Sequence, residues 1–285
     1  MANSVDDVIR FVRDADNDVK FVRLAFCDVN GTPKNISVPP DELPHAFESG
    51  IEFDAGSIAG FDARSRPRLF PDAGTLAILP WRPSHGRVAR FYCSLRDEYG
   101  SPLHYDTRKS LRDTISRAEA RGFSFRATAE CEFYLFKADD DGSHAGVNVP
   151  FDRGGYFDVS PLDRGENVRR DVVSYLETMS VSTAGSYHSR GAGQNAIALK
   201  ATDALTCADN HQTYKMVVGA VAGQNGLVAS FEQRPDGAEH DSVLTVTLTA
   251  TRKGGKPLSV IARFSPSANP YAALEGAILQ LTVEN

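Results

Sequence analysis

Apolar positions along the chain change period several times, and each change marks an element. Val5, Val8, Ile9 and Val12 recur at helical spacing behind Ser4, a good N-cap, and predict a short capped helix. Lys20 to Asp28 reads as a strand, Asn30-Gly31 as a hairpin turn, and Lys34 to Val38 as the return strand, stopped by Pro39-Pro40. Asp41 to Ser49 predicts a short helix ended by Gly50, and further strands fit Thr75 to Leu79 and Val88 to Ser94. Strand, turn, strand, helix and two more strands imply a small α+β domain over residues 1–105.

Residues 99 to 108 read as a boundary, and a second domain is expected over 106–285. It opens on a helix capped by Asp106, with Leu111, Ile115 and Ala118 on one face and Gly122 closing it. Ala129 to Phe136 follows as a strand whose period of two sends Glu130 and Glu132 to one face. Asp139 to Ser143 is expected to turn without binding calcium, because no Glu stands at the twelfth position of such a loop. Amphipathic helices are predicted over Glu166 to Met179 and Asp203 to Asn225. Leu244, Val246, Leu248 and Ala250 alternate with polar residues, Lys253-Gly254-Gly255-Lys256 is a tight hairpin signal, and Leu258 to Phe264 alternates back. Asn269-Pro270 starts a last helix, Tyr271 to Leu281.

Composition narrows the function classes. With 285 residues, 41% apolar and 24% charged, the chain is an ordinary globular protein with room for one large or two modest cores. A net charge of −6 argues against a nucleic-acid partner held by bulk electrostatics. No apolar run approaches the roughly 20 residues of a membrane helix, and no leader pattern opens the chain, so no membrane partner and a cytoplasmic location are expected. Cys27, Cys93, Cys131 and Cys207 form no C-x-x-C pair and read as isolated buried thiols.

Two carboxylates on one strand face can clamp a hard divalent cation, which wants several oxygens converging from one side. The same pattern also describes a solvated strand face. Gly154-Gly155 before Tyr156-Phe157 serves equally as a tight turn packed by aromatics or as the edge of a ligand pocket. His188 reads as a structural histidine, Arg169-Arg170 as a solvated or salt-bridged helix face.

In this order the pieces resemble type I glutamine synthetase over essentially the whole chain. The resemblance is carried by Phe53-Asp54-Ala55-Gly56-Ser57, Glu130-Cys131-Glu132-Phe133-Tyr134, Gly154-Gly155-Tyr156-Phe157-Asp158, Gly165-Glu166-Asn167-Val168-Arg169-Arg170-Asp171 and Ser267-Ala268-Asn269-Pro270-Tyr271. It implies an α+β architecture: an N-terminal β-grasp domain and a truncated catalytic domain, a curved antiparallel sheet with helices. It also implies Glu130 and Glu132 as metal ligands, Tyr156 and Phe157 beside a nucleotide, and Asp54 as an acid lent to the ammonium site of a neighbouring subunit.

The match fails where the chemistry needs it. Phosphorylating a carboxylate with ATP requires cations that neutralise charge during transfer, gripped by anionic ligands. Ser189 and Ala196 stand where the family has carboxylates, Val243 falls at a metal histidine, Ile261 at another metal carboxylate, and Lys253-Gly254-Gly255-Lys256 replaces a long internal segment. Glu130 and Glu132 alone imply at most weak binding of Mg²⁺ or Mn²⁺. The leading expectation is therefore a glutamine-synthetase-like pseudoenzyme with a structural, regulatory or ligand-sensing role. It would form a homo-oligomer or co-assemble with an active synthetase. The alternative is a remodelled ATP-dependent ligase acting on another amino acid or amine, with Arg190, Arg234 and Arg263 as new basic groups.

Overall fold

The computed structural model describes residues 4–62, 65–139 and 148–283. The turn expected at Asp139 to Ser143 lies, beyond Asp139, outside the described residues. The chain divides into two compact units, Met1–Asp113 and Thr114–Asn285. Among the described residues no helix is long and apolar enough to cross a membrane.

In the first unit, α1 (Val5–Arg13) buries Val8 and Val12, and the Ser4 side chain accepts the Asp7 amide at 3.1 Å. β1 (Val19–Cys27) pairs antiparallel with β2 (Pro33–Val38). The turn between them is built on Asp28, whose Oδ1 accepts the amides of Asn30 and Thr32, with Gly31 at φ +80°. α2 (Leu43–Glu48) follows, then three short strands, β3 (Ile51–Glu52), β4 (Arg68–Pro71) and β5 (Ala77–Ile78), and the longer β6 (Arg87–Arg96). β6 runs parallel to β1, so the sheet order is β2-β1-β6-β4-β3, with β5 also on β6. Val22, Leu24, Leu43, Leu69, Phe91 and Leu95 form its core. β3 and β4 escape sequence reading because two and four residues are too few to show a period.

α3 (Thr107–Ala120) runs across the division between units, and both Asp106 oxygens accept amides, from Lys109 and Leu95. The second unit is organised on β7 (Phe123–Lys137), the strand that carries Glu130 and Glu132. Its other strands are β8 (Thr183–His188), β9 (Gln194–Thr202), β10 (Leu227–Ser230), β11 (Leu244–Arg252) and β12 (Leu258–Phe264). They form an antiparallel sheet in the order β12-β11-β7-β9-β8, with β10 pairing the end of β7. α4 (Glu166–Thr178), α5 (Ala204–Gln224) and α6 (Pro270–Val283) complete the unit. Odd-numbered residues of β7, from Ala127 to Leu135, are buried, and on that side the Tyr214 hydroxyl of α5 reaches the Cys131 carbonyl at 2.9 Å. The even-numbered face carries the two glutamates. All four cysteines are free and buried, and burial pushes the Cys207 thiol up to about 12.

β11 and β12 are joined by residues 253–257 alone, as the hairpin signal predicts. Gly254 sits at φ +79°, the Lys253 amide donates to Gly122, and the register sets Thr245 opposite Arg263 and Thr247 opposite Ile261. A direct hairpin joins neighbouring strands without disturbing the pairing of β11 with β7.

Candidate functional site

Directly opposed residues of an antiparallel sheet share a face. Glu132 lies opposite Ala196, which in turn lies opposite Tyr187, while Glu130 lies between Ala198 and Thr245. With Arg263 opposite Thr245 and Ile261 opposite Thr247, one face gathers Glu130, Glu132, Tyr187, Ala196, Ile261 and Arg263. Ile261 stands 60% exposed on it, whereas Ala196 and Ser189 are fully buried.

The Ser189 hydroxyl donates to Glu132 Oε1 at 2.5 Å, and the Val243 amide donates to Glu132 Oε2 at 2.9 Å. The Glu132 amide returns a bond to the Val243 carbonyl at 3.1 Å. Two positions at which the resemblance implies metal ligands thus supply hydrogen-bond donors to a glutamate. Glu130 Oε1 accepts the Tyr187 hydroxyl at 2.9 Å. Burial first, then that bond, push the Tyr187 phenol above the usual tyrosine range.

Tyr156 and Phe157 are exposed and stack on each other with ring centroids 3.9 Å apart, each meeting Tyr187 edge-on. Phe157 adopts φ +62°, and its amide donates to the His188 carbonyl at 3.0 Å. The aromatic pair is therefore brought to the Glu130 side of the face through Tyr187. Asp54 belongs to the first unit, where it is exposed and its Oδ1 accepts the Gly56 amide at 2.8 Å, while the adjoining Ala55 is buried.

Mg²⁺ or Mn²⁺ requires about six oxygen ligands, several of them anionic in a site that handles phosphates. This face offers two carboxylates, one with a donor already on each oxygen, beside neutral Ser189, Ala196, Val243 and Ile261. That donor set does not fit such an ion. Of the basic groups considered for a remodelled ligase, Arg234 is bound to Asp241 at 2.5 Å.

Behind the face lies a buried network that sequence reading only touched through His188 and Arg169. His188 Nε2 meets Asp152 Oδ1 at 2.9 Å, and Nδ1 meets the Ser189 carbonyl at 2.8 Å. Both neighbours are acceptors, so both ring nitrogens donate and the ring is an imidazolium. Asp152 Oδ1 also accepts the Gly193 amide and Oδ2 the Arg164 amide. Arg169, buried and not solvated, pairs with Asp163 through two bonds of 3.1 and 2.5 Å. Asp152, Asp163 and His188 lie close together, and the group is satisfied internally, Asp163 by both terminal nitrogens of Arg169 and Asp152 by His188 and the amides of Gly193 and Arg164. Gly154 is needed beside the ring: a Cβ there would lie 2.8 Å from His188 Nε2.

The network sets a pH profile. Burial opposes the charge on Asp152, but the bonds from His188, Gly193 and Arg164 outweigh it and hold the carboxyl at about 2. Burial likewise opposes the charge on His188, but Asp152 and the Ser189 carbonyl outweigh it and raise its pKa above 6.5. The Asp152 contribution is present above its unfolded value of 3.8 and lost as pH falls toward about 2. The His188 contribution is present below 6.5 and lost as pH rises through the raised folded value. Urea unfolding across pH should therefore show greatest stability between these limits, and His188→Gln should flatten the alkaline limb; an unchanged limb would contradict the imidazolium assignment.

A mixed sheet with β1 and β6 parallel at its centre, followed by an antiparallel sheet with two glutamates on one face, defines the class, and comparison with known proteins gives the family. Residues 18–98 match the family model for the glutamine synthetase β-grasp domain, and residues 104–260 match that for the catalytic domain. The chain is 39% identical to glutamine synthetase of Clostridium saccharobutylicum over 251 residues, covering 87% of this chain and 56% of that protein. It is 40% identical to glutamine synthetase of Halobacterium salinarum over 222 residues, covering 77% and 48%. Similar folds are found in a GmaS/ADP complex, with TM-score 0.77 and 24% identity over 90% of this chain and 58% of that one. Plasmodium falciparum glutamine synthetase also has TM-score 0.77, with 20% identity over 88% and 54%. The chain belongs to the glutamine synthetase family, with a β-grasp domain and a truncated catalytic domain, and it spans about half the length of the curated relatives it matches.

Proposed function

We propose that this glutamine synthetase family member does not ligate ammonia to glutamate and instead serves a structural, regulatory or ligand-sensing role. The observation that carries the reading is the capture of both Glu132 oxygens by Ser189 and Val243. A carboxylate satisfied by two protein donors gains less from gripping a cation than a free one, and no anionic ligand stands at Ser189, Ala196, Val243 or Ile261 to share the task. Without bound cations, the charge on a transferring phosphoryl group has no stabilising partner at Glu130 and Glu132.

The retained β-grasp unit and the exposed Asp54 turn support assembly into a homo-oligomer, or co-assembly with an active synthetase, in which Asp54 would face a neighbouring subunit. Tyr156 and Phe157, stacked and exposed beside Tyr187, support a residual contact for a planar ligand rather than a metal-dependent one.

The test is γ-glutamyl hydroxamate formation and ATP-dependent phosphate release by the purified chain with Mg²⁺ and with Mn²⁺. Neither product is expected above background. Turnover at an ordinary enzyme rate, roughly 1 s⁻¹ or faster, would favour the remodelled ligase, and its loss in Glu130→Ala and Glu132→Ala would assign it to this face.

A further inference from the structure

We infer that a cleft of about 1030 Å³ in the second unit is a binding site for a small organic molecule bearing two or more phosphate or carboxylate groups. Glu130, Glu132, Tyr156, Phe157 and Tyr187 are not among its lining residues, so the inference stands apart from the proposal about catalysis.

Charge carries the first step. Lys137, Arg153, Arg164 and Arg190 line the cleft, and all four are exposed. Among the described residues Lys137, Arg153 and Arg190 have no ion-pair partner. Of the acidic residues in the lining, Asp152 is paired with His188, while Asp158 and Glu239 keep their charges, so four cations face two anions. A cleft with four cations in a chain of net charge −6 is a local reversal of sign, which attracts and retains anions.

Geometry carries the second. The three arginines leave the backbone from positions tied to one buried carboxylate. Arg153 follows Asp152 directly, the Arg164 amide donates to Asp152 Oδ2 at 3.0 Å, and the turn holding Arg190 is pinned where the Gly193 amide donates to Asp152 Oδ1 at 2.9 Å. Fixing the stems before a ligand arrives lowers the ordering cost of binding. Guanidinium groups then match carboxylate or phosphate oxygens with paired donors.

The cleft is not purely polar. Phe151 lines it half-buried, and the Arg164 guanidinium lies 4.8 Å from the Phe151 ring centre. That mixture suits an anionic molecule with a carbon body better than a bare inorganic ion, and the volume is at the upper end of the roughly 300 to 1,000 Å³ common for small-molecule pockets.

The test is calorimetric titration of the full chain in metal-free buffer with two probes, citrate and pyrophosphate. Saturable one-to-one binding of at least one is expected, weakened by added salt. Arg153→Ala and Arg190→Ala should each weaken it about tenfold or more, with Arg190→Lys intermediate because it keeps the charge and loses the fork. Glu132→Gln should leave it unchanged. Which probe binds tighter separates a phosphate from a carboxylate ligand. Circular dichroism checks that the variants, altered only at exposed positions, remain folded. No saturable binding of either probe at millimolar concentration, equal binding by the Arg153→Ala/Arg190→Ala double variant, or loss of binding in Glu132→Gln would overturn the assignment.

Discussion

Asp152→Ala is expected to destabilise the second unit by about 3 to 5 kcal/mol, the range for removing one partner of a buried ion pair. Alanine would remove the counter-charge that keeps His188 protonated against burial, and would strand the amides of Gly193 and Arg164. Unsatisfied buried donors and an unpaired buried cation are among the few mechanisms that produce losses of this size. The melting temperature should fall by roughly 10 °C or more, read by thermal and urea unfolding. Asp152→Asn, which keeps an acceptor oxygen but not the charge, should lose less. A loss below about 1 kcal/mol for Asp152→Ala would mean that the site relaxes or takes in water, and the network would not be the anchor described here.

The second large effect concerns Ser189 and Ala196, where the family resemblance implies carboxylates. Ser189→Glu/Ala196→Glu, measured in EDTA, is expected to cost about 3 kcal/mol or more, because it forces new carboxylates into fully buried positions against Glu132. Ser189→Glu also removes a donor from Glu132 Oε1 and puts a like charge in its place. In a site still shaped for cations the room for these side chains would remain, and the loss in EDTA would be much smaller. Equal stability of the double variant and the parent in EDTA would therefore argue that the cation site is intact apart from its ligands. Partial recovery on adding Mn²⁺, from a destabilised start, is the expected pattern, because the cation then screens the carboxylates that repel one another.

Much of this was legible in the sequence where local signals are strong. Ser4 and Asp106 cap helices as their positions suggest, and the helix expected from Asp203 starts there, with Asp203 accepting the Thr206 amide at 2.9 Å. The 253–257 hairpin and the placement of Ile261 and Arg263 on the glutamate face followed from period-two alternation and a short loop. β8 and β9 were not read as strands. Thr183-Ala184-Gly185-Ser186 has little β character, and Gln194 to Thr202 is buried on both faces over much of its length, so neither alternates cleanly.

The proposed loss of ligands rests on residue types that the sequence displays, whereas the hydrogen bonds around Glu132 do not show in it. Sequence alone shows that Ser189 and Val243 cannot be anionic ligands; that they turn their donors onto Glu132 depends on register and on a backbone amide, neither of which has a residue signature. Asp152 stands 36 residues from His188, and nothing local marks the two as partners. Arg169-Arg170 reads as a solvated or salt-bridged helix face; Arg169 is salt-bridged, but buried, because its partner, Asp163, precedes the helix and folds back against it. Buried charge pairs of this kind are fixed by tertiary packing.

The central claim is that the glutamate face holds its own hydrogen bonds in place of multivalent cations. Titrating the purified chain with Mn²⁺, followed by electron paramagnetic resonance of the free ion, tests it most directly. No ion is expected to be held more tightly than roughly 10 μM, about −7 kcal/mol of binding, with no change when Glu132 is replaced by glutamine. Two or more tightly held ions per chain, lost in Glu132→Gln and accompanied by phosphate release from ATP, would contradict it.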